Sequence, residues 1–136
     1  MNRVPSDKTP SAARSRRETL DNELPEGWTG TTLDRLLVSL ESGSRPRGGV
    51  QNIKEGIPSL GGEHVDENGG FRFEAVKYVP SAFFKSMRRG HIRIGDVLIV
   101  KDGATTGKVS LVRDDFPFGV AVVNEHVFVC RPSSAT

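Results

Sequence analysis

The residues of this chain best suited to chemistry fall in two short polar blocks, Lys101-Asp102-Gly103-Ala104-Thr105-Thr106-Gly107-Lys108 and Asn124-Glu125-His126. The first block invites comparison with a phosphate loop, whose glycines let backbone N–H groups cradle phosphate while a Lys reaches its oxygens. Three features exclude that role. Gly103 and Gly107 are one residue too close, Val109 stands where Ser or Thr must hold Mg²⁺, and Lys108 to Arg113 alternates as a strand. Without a following helix, the oriented N–H groups of an anion site are lost.

Other catalytic patterns fail the same kind of test. A metal-dependent nuclease needs a carboxylate followed two residues later by Lys, and no Asp or Glu here has that neighbour. A methyltransferase needs a Gly-x-Gly cofactor loop and an Asn-Pro-Pro-aromatic segment, and neither occurs. His64, His91 and His126 have neither HExxH spacing nor partner cysteines, so neither a metal nor another cofactor is called for. Glu63-His64 and Glu125-His126 form an acid/base set only if the fold brings them together. The single Cys130 lies beside Val129 in a strand pattern and reads as an inert, buried thiol. No catalytic residue is assigned.

Polar groups flanked by buried strand are costly unless they bond to each other or to a ligand. Gly103 and Gly107 permit a tight hairpin loop between Val100 and Val109. Asp102, Thr105, Thr106, Asn124 and Glu125, with His126 beside them, can then knit that loop to the next strand. This is a structural reading. The functional alternative is that Lys101, Thr105, Thr106 and Lys108 donate to phosphate or base edges.

The elements that must position these blocks are short. Leu33, Leu36, Leu37 and Leu40 recur at helical spacing, predicting a helix opened by Thr31 and stopped by Gly43, its stripe in the core. Trp28 is expected to anchor the chain against that core. Gly56 to His64 reads as an extended segment broken by glycines, and Phe71, Phe73 and Ala75 alternate as a half-buried strand. Pro80 to Arg89 predicts a short helix burying Phe83, Phe84 and Met87, with Arg88 and Arg89 complementing its dipole. Val97 to Val100 and Val127 to Val129 are buried strands.

At 136 residues with 15 glycines and 8 prolines, the chain is one loop-rich, mostly β domain at most. It has no apolar run long enough for a membrane span, no secretory signal and only one cysteine, which points to a soluble, cytoplasmic setting. Arginine outnumbers lysine 13 to 6, a bias towards forked recognition of phosphate or bases. The net +2 conceals segregation: Lys85, Arg88, Arg89 and Arg93 have no acid between them, giving +4 in nine residues. Arg35, Arg45, Arg47 and Lys54 against Glu41 give +3, while the stretch from Glu55 to Glu74 has five acids against Arg72, or −4. A basic face is one reading, and solvated loops and helix ends the other.

At a larger scale, six distinct blocks follow one another along the chain. These are Leu-Pro-Glu-Gly-Trp (24–28), Ser-Gly-Ser-Arg-Pro (42–46), Gly-Ile-Pro-Ser-Leu-Gly-Gly-Glu-His (56–64), Lys-Tyr-Val-Pro (77–80), Gly-Asp-Val-Leu-Ile-Val-Lys-Asp-Gly-Ala-Thr-Thr-Gly-Lys (95–108) and Val-Asn-Glu-His-Val-Phe (123–128). Their order resembles a target-recognition domain of the specificity subunit of type I restriction-modification enzymes, over about residues 24–132. The resemblance implies an α+β fold, a twisted, largely antiparallel sheet with short helices. It also implies sequence-specific binding of double-stranded DNA without catalysis, directing a methyltransferase (modification) subunit and a restriction endonuclease subunit to their target.

On that reading residues 1–23 are a disordered basic leader and 24–136 a partial recognition domain. The domain lacks the later helix, sheet and spacer of the family, as a truncation or one half of a split subunit would. A second recognition half-subunit is then a further candidate partner. Phosphate candidates are Arg45, Arg47, Lys85, Arg88, Arg89 and Arg93, joined by Lys101, Thr105, Thr106 and Lys108. The glycine-rich stretch 61–70 reads as a variable loop in which His64 or Asn68 could face bases. The main rival is a remnant or protein-interaction domain that binds no DNA on its own. An enzyme built on Asp96, Asp102, Glu125 and His126 comes third.

Overall fold

The structure, a computed structural model, describes residues 22–134. The leader, apart from its last two residues, and the last two residues of the chain therefore lie outside the described residues. The chain divides into two units, one ending at Arg35 and the other beginning at Leu36. In the first, Trp28 N–H closes a turn on the Pro25 carbonyl, and the indole is 71% exposed, so Trp28 is not the core anchor its uniqueness suggested.

The leucine helix expected between Thr31 and Gly43 is a single turn, α1 (Leu33–Leu36), followed directly by strand β1 (Leu37–Ser42). The reason is tertiary. Strand β7 (Val127–Pro132) needs a backbone partner, and β1 supplies it through antiparallel pairs such as Leu40–Cys130 and Ser42–Phe128. Ladder hydrogen bonds and burial of β7 outweigh the small helix propensity of Leu37 and Leu40. The stripe is not core, since Leu33, Leu36 and Leu40 are all exposed.

The remaining elements are β2 (Ile57–Leu60), a 3-10 turn (Gly62–His64), β3 (Lys77–Val79), α2 (Ser81–Ser86), β4 (Val97–Val100), β5 (Val109–Leu111) and β6 (Val122–Val123). They form a four-stranded antiparallel sheet in the order β1-β7-β4-β5, and a three-stranded one in the order β3-β2-β6 with β2 and β6 parallel. Two mostly antiparallel sheets with few short helices make the fold α+β. The β4–β5 hairpin forms as expected, and Gly103 and Gly107 both take the positive φ its loop requires. Phe71 to Ala75 makes only one isolated bridge, Phe71 to Val65, rather than a strand. No helix among the described residues is long and apolar enough to cross a membrane.

Leu98, Val127 and Val129 on one face of the four-stranded sheet meet Leu60 and Val123 of the other sheet, forming the main core. Val122 points the opposite way, into a second cluster with Val50, Val79 and Met87, backed by Phe83 and Phe84. The three-stranded sheet is thus apolar on both faces, which explains why Val122 and Val123 are both buried. The other face of the four-stranded sheet is also apolar, with Leu40, Cys130, Val97 and Leu111 aligned across it.

The two sheets are joined where backbone meets backbone. Gly43 N–H donates to the Asn124 carbonyl and Val123 N–H to the Gly90 carbonyl, while Asn124 N–H donates to the Leu60 carbonyl. A methyl on Gly43 would lie 1.7 Å from the Val123 carbonyl oxygen, and one on Gly90 would lie 2.7 Å from the Gly43 Cα. Gly43 is thus required for close approach, not as the stop of a helix. A buried ion pair fixes the adjoining turn: Asp96 accepts from Arg131 Nε at 3.0 Å and Nη2 at 2.9 Å, and from Arg93 N–H at 2.8 Å. That interaction keeps the Arg131 guanidinium pKa above its usual value.

Gly43→Ala should cost about 3 kcal/mol or more, because the obstructing atoms are backbone and cannot swing aside. Gly119→Ala, whose methyl would meet nothing within 4 Å, should stay within about 0.5 kcal/mol of wild type. Urea midpoints at constant slope check both, and equal stabilities for the two variants would contradict the proposed crowding.

Candidate nucleic-acid interface

The Gly43–Gly90 approach brings two loops together that are far apart in sequence. Between them lies a groove of about 480 Å³ lined by Ser42, Gly43, Ser44, Phe83, Ser86, Met87, Arg88 and Arg89. Its floor is apolar, and its walls carry serine hydroxyls and two guanidinium groups. Helix α2 starts after Pro80, whose fixed φ suits that position, and ends at Ser86, whose hydroxyl donates to the Phe83 carbonyl at 2.6 Å. Arg88 and Arg89 therefore lie beyond the helix, and its dipole does not account for them.

Arg47, Lys85, Arg88, Arg89 and Arg93 are all exposed, and none has an acidic partner among the described residues. Unpaired, exposed cations of one sign on neighbouring segments suit a polyanion. Arg45 differs from them. Its guanidinium forms a two-point ion pair with Glu125, Nε to Oε2 at 3.0 Å and Nη2 to Oε1. Burial pushes the Glu125 carboxyl up, but the Arg45 hydrogen bond and charge, with the charge of His126, hold it below its ordinary value.

The second polar block is tied to the first through Asp102 and His126, whereas Thr105, Thr106, Asn124 and Glu125, expected to share in that link, do not bridge the two blocks. His126 Nδ1 meets Asp102 Oδ1, Lys101 N–H donates to the His126 carbonyl, and His126 N–H donates to Asn124 Oδ1 at 2.9 Å. Thr106 Oγ1 donates to the Gly103 carbonyl at 2.7 Å, and Lys101 Nζ sits 5.1 Å from the centre of the Phe128 ring. Thr105 lies against Gly62, and Lys108 is half-buried. Most of these groups have partners inside the fold, unlike the arginines around the groove.

The acid/base residues are spoken for in a similar way. Asp96 is saturated by Arg131 and Arg93, while the other side of the His126 ring faces Glu125 at 3.4 Å, not a nucleophile. Glu63 pairs with Lys77 at 2.9 Å. His64 is buried, its Nδ1 accepting from Gly61 N–H and its Nε2 beside the Ala75 carbonyl, so it does not face bases. Asn68 is exposed in a turn closed by Asp66. Cys130 is buried, and burial together with the Asp96 charge pushes its pKa up, consistent with an inert thiol. No group of acids, His and Cys able to hold a metal occurs among the described residues.

Sequence reasoning misses the Gly90 contact, the Asp96–Arg131 pair and an aromatic cluster of Phe71, Phe73, Phe116 and Phe118 beside a hollow of about 370 Å³. Only the cluster has a local signal, the alternation of Phe at 71, 73, 116 and 118. A scan of protein-family models and a search of curated proteins found no match to the chain.

Glu63 and Glu125 both have pKa values lowered from 4.5 in the folded state. Their contribution is therefore complete above about pH 4.5 and lost as pH falls through the lower folded values. Glu63→Gln should flatten the acid limb of stability without moving the neutral plateau by much, since the pair is half-exposed. Urea midpoints between about pH 6 and about pH 3 test this. An unchanged acid limb would contradict it.

Proposed function

We propose that this chain is a DNA-recognition module of the kind its motif order resembles, the target-recognition domain of a type I specificity subunit. In this role it has no catalytic site and acts in the cytoplasm. It would deliver a methyltransferase subunit and an endonuclease subunit to a sequence, with a second recognition half-subunit as a further partner. The observation that carries the reading is the grouping of Arg88 and Arg89 with the Ser42–Ser44 loop at one groove, both cations without an ion-pair partner among the described residues, while in the 101–108 loop Asp102 is tied to His126 and Thr106 to the Gly103 carbonyl. Phosphate contact by such side chains supplies affinity and register, and base edges are read from neighbouring positions.

A protein-interaction role is favoured by a different observation. The outer side of the four-stranded sheet exposes Val38, Leu40, Val109 and Leu111, with Ile94 nearby in sequence, more apolar surface than a solvated sheet face normally shows. The two roles are compatible in an assembled specificity subunit, where one face meets DNA and another meets protein.

Arg88→Ala combined with Arg89→Ala should weaken binding to duplex DNA of any sequence. It should also reduce the slope of log affinity against log salt by about 1.8, roughly 0.9 for each phosphate that an arginine no longer neutralises. Fluorescence anisotropy across a salt series, with and without a methyltransferase subunit, measures this. A wild-type chain that binds no duplex in either condition would sink the DNA reading.

A further inference from the structure

We propose that Arg45 and His126 form a second phosphate seat, filled in the free protein by the carboxylate of Glu125 acting as an internal substitute for the ligand. The inference rests on the DNA reading and adds a position-specific contact to it. Arg45 offers the fork that binds a phosphate oxygen pair, and Glu125 occupies that fork with both of its oxygens. His126 approaches the same carboxylate at 3.4 Å from Nε2, while Asp102 holds its Nδ1 and so fixes the ring. A guanidinium and an imidazole converging on one anion is the arrangement a phosphodiester would take.

The seat borders the groove. Ser42, which lines it, donates its hydroxyl to the Glu125 carbonyl at 3.3 Å and to the Val127 carbonyl at 2.9 Å. A backbone lying in the groove beside Arg88 and Arg89 thus has this seat at its Ser42 wall. Arg45 and Glu125 are both about one-third exposed, at 35% and 39%, so the pair is open to exchange. Screening weakens such a pair, and a dense polyanion competes well against a single carboxylate.

Glu125→Gln should bind duplex about five- to tenfold tighter than wild type, with a salt slope steeper by about 0.9, because Arg45 is released for phosphate. Glu67→Gln, which removes the same charge from an exposed position, should leave both unchanged. Adding Arg45→Ala to Glu125→Gln should abolish the gain. An equal gain in Glu67→Gln, or a gain that survives Arg45→Ala, would overturn the seat and leave only bulk charge.

A second readout needs neither a variant nor DNA. The Arg45 Nε–H signal of the wild-type chain, followed by NMR, should shift and saturate on titration with inorganic phosphate. A signal unmoved at high millimolar phosphate overturns the proposal. If the wild-type chain binds no duplex, the DNA reading fails, and the phosphate titration alone still decides the seat.

Discussion

Two glycines in van der Waals contact set the geometry on which the rest of this molecule depends. Gly43 follows the edge strand of one sheet, Gly90 follows the second helix, and both press on the backbone of Val123 and Asn124 in the other sheet. No side chain fits there, because the obstructing atoms are carbonyls and Cα atoms, which cannot rotate away. The contact aligns the sheets so that Leu60 and Val123 can reach Leu98 and Val129 in one core. It also decides which loops become neighbours, and in this chain those loops carry arginine.

This arrangement separates polar groups into two populations. In the hairpin loop and the Asn124–His126 block, the Asp102 carboxylate, the Thr106 hydroxyl and the Asn124 amide oxygen are matched within the fold. Around the groove, Arg88 and Arg89 form no ion pair with a described residue, although the Glu41 carboxylate lies nearby, where it accepts from the Gly90 N–H at 3.1 Å. Arg45 is the cation of that region that does pair, and its partner comes from the knitted block. Matched groups hold the scaffold, and unmatched ones are left for a ligand of opposite charge.

Much of the fold is legible locally. The β4–β5 hairpin follows from a polar loop bracketed by glycines between apolar runs, and the second helix from Pro80 and the spacing of Phe83, Phe84 and Met87. The first strand is not legible. Leu33, Leu36, Leu37 and Leu40 satisfy helical spacing, and only the need of β7 for a partner almost ninety residues away converts part of that run to strand. For the same reason the stripe that spacing assigns to the core is exposed. Among the candidate phosphate ligands, the run from Lys85 to Arg93 stands out from its charge alone. The hold of Glu125 on Arg45 has no local signal, since the pair spans 80 positions and depends on the glycine contact. His64 reads as a loop residue in the sequence, but it is a buried brace between Gly61 and Ala75.

If the two basic loops act as one DNA-facing surface, both must respond to the same ligand. An amide NMR titration of the isotope-labelled chain with an arbitrary duplex at low salt tests this, since phosphate contact does not require the target sequence. The largest shifts should fall in residues 43–49 and 85–93 together, with little change at Phe71–Phe73 or Leu111–Arg113. Shifts centred on the Phe71–Phe73 end, or confined to only one of the two basic loops, would contradict it.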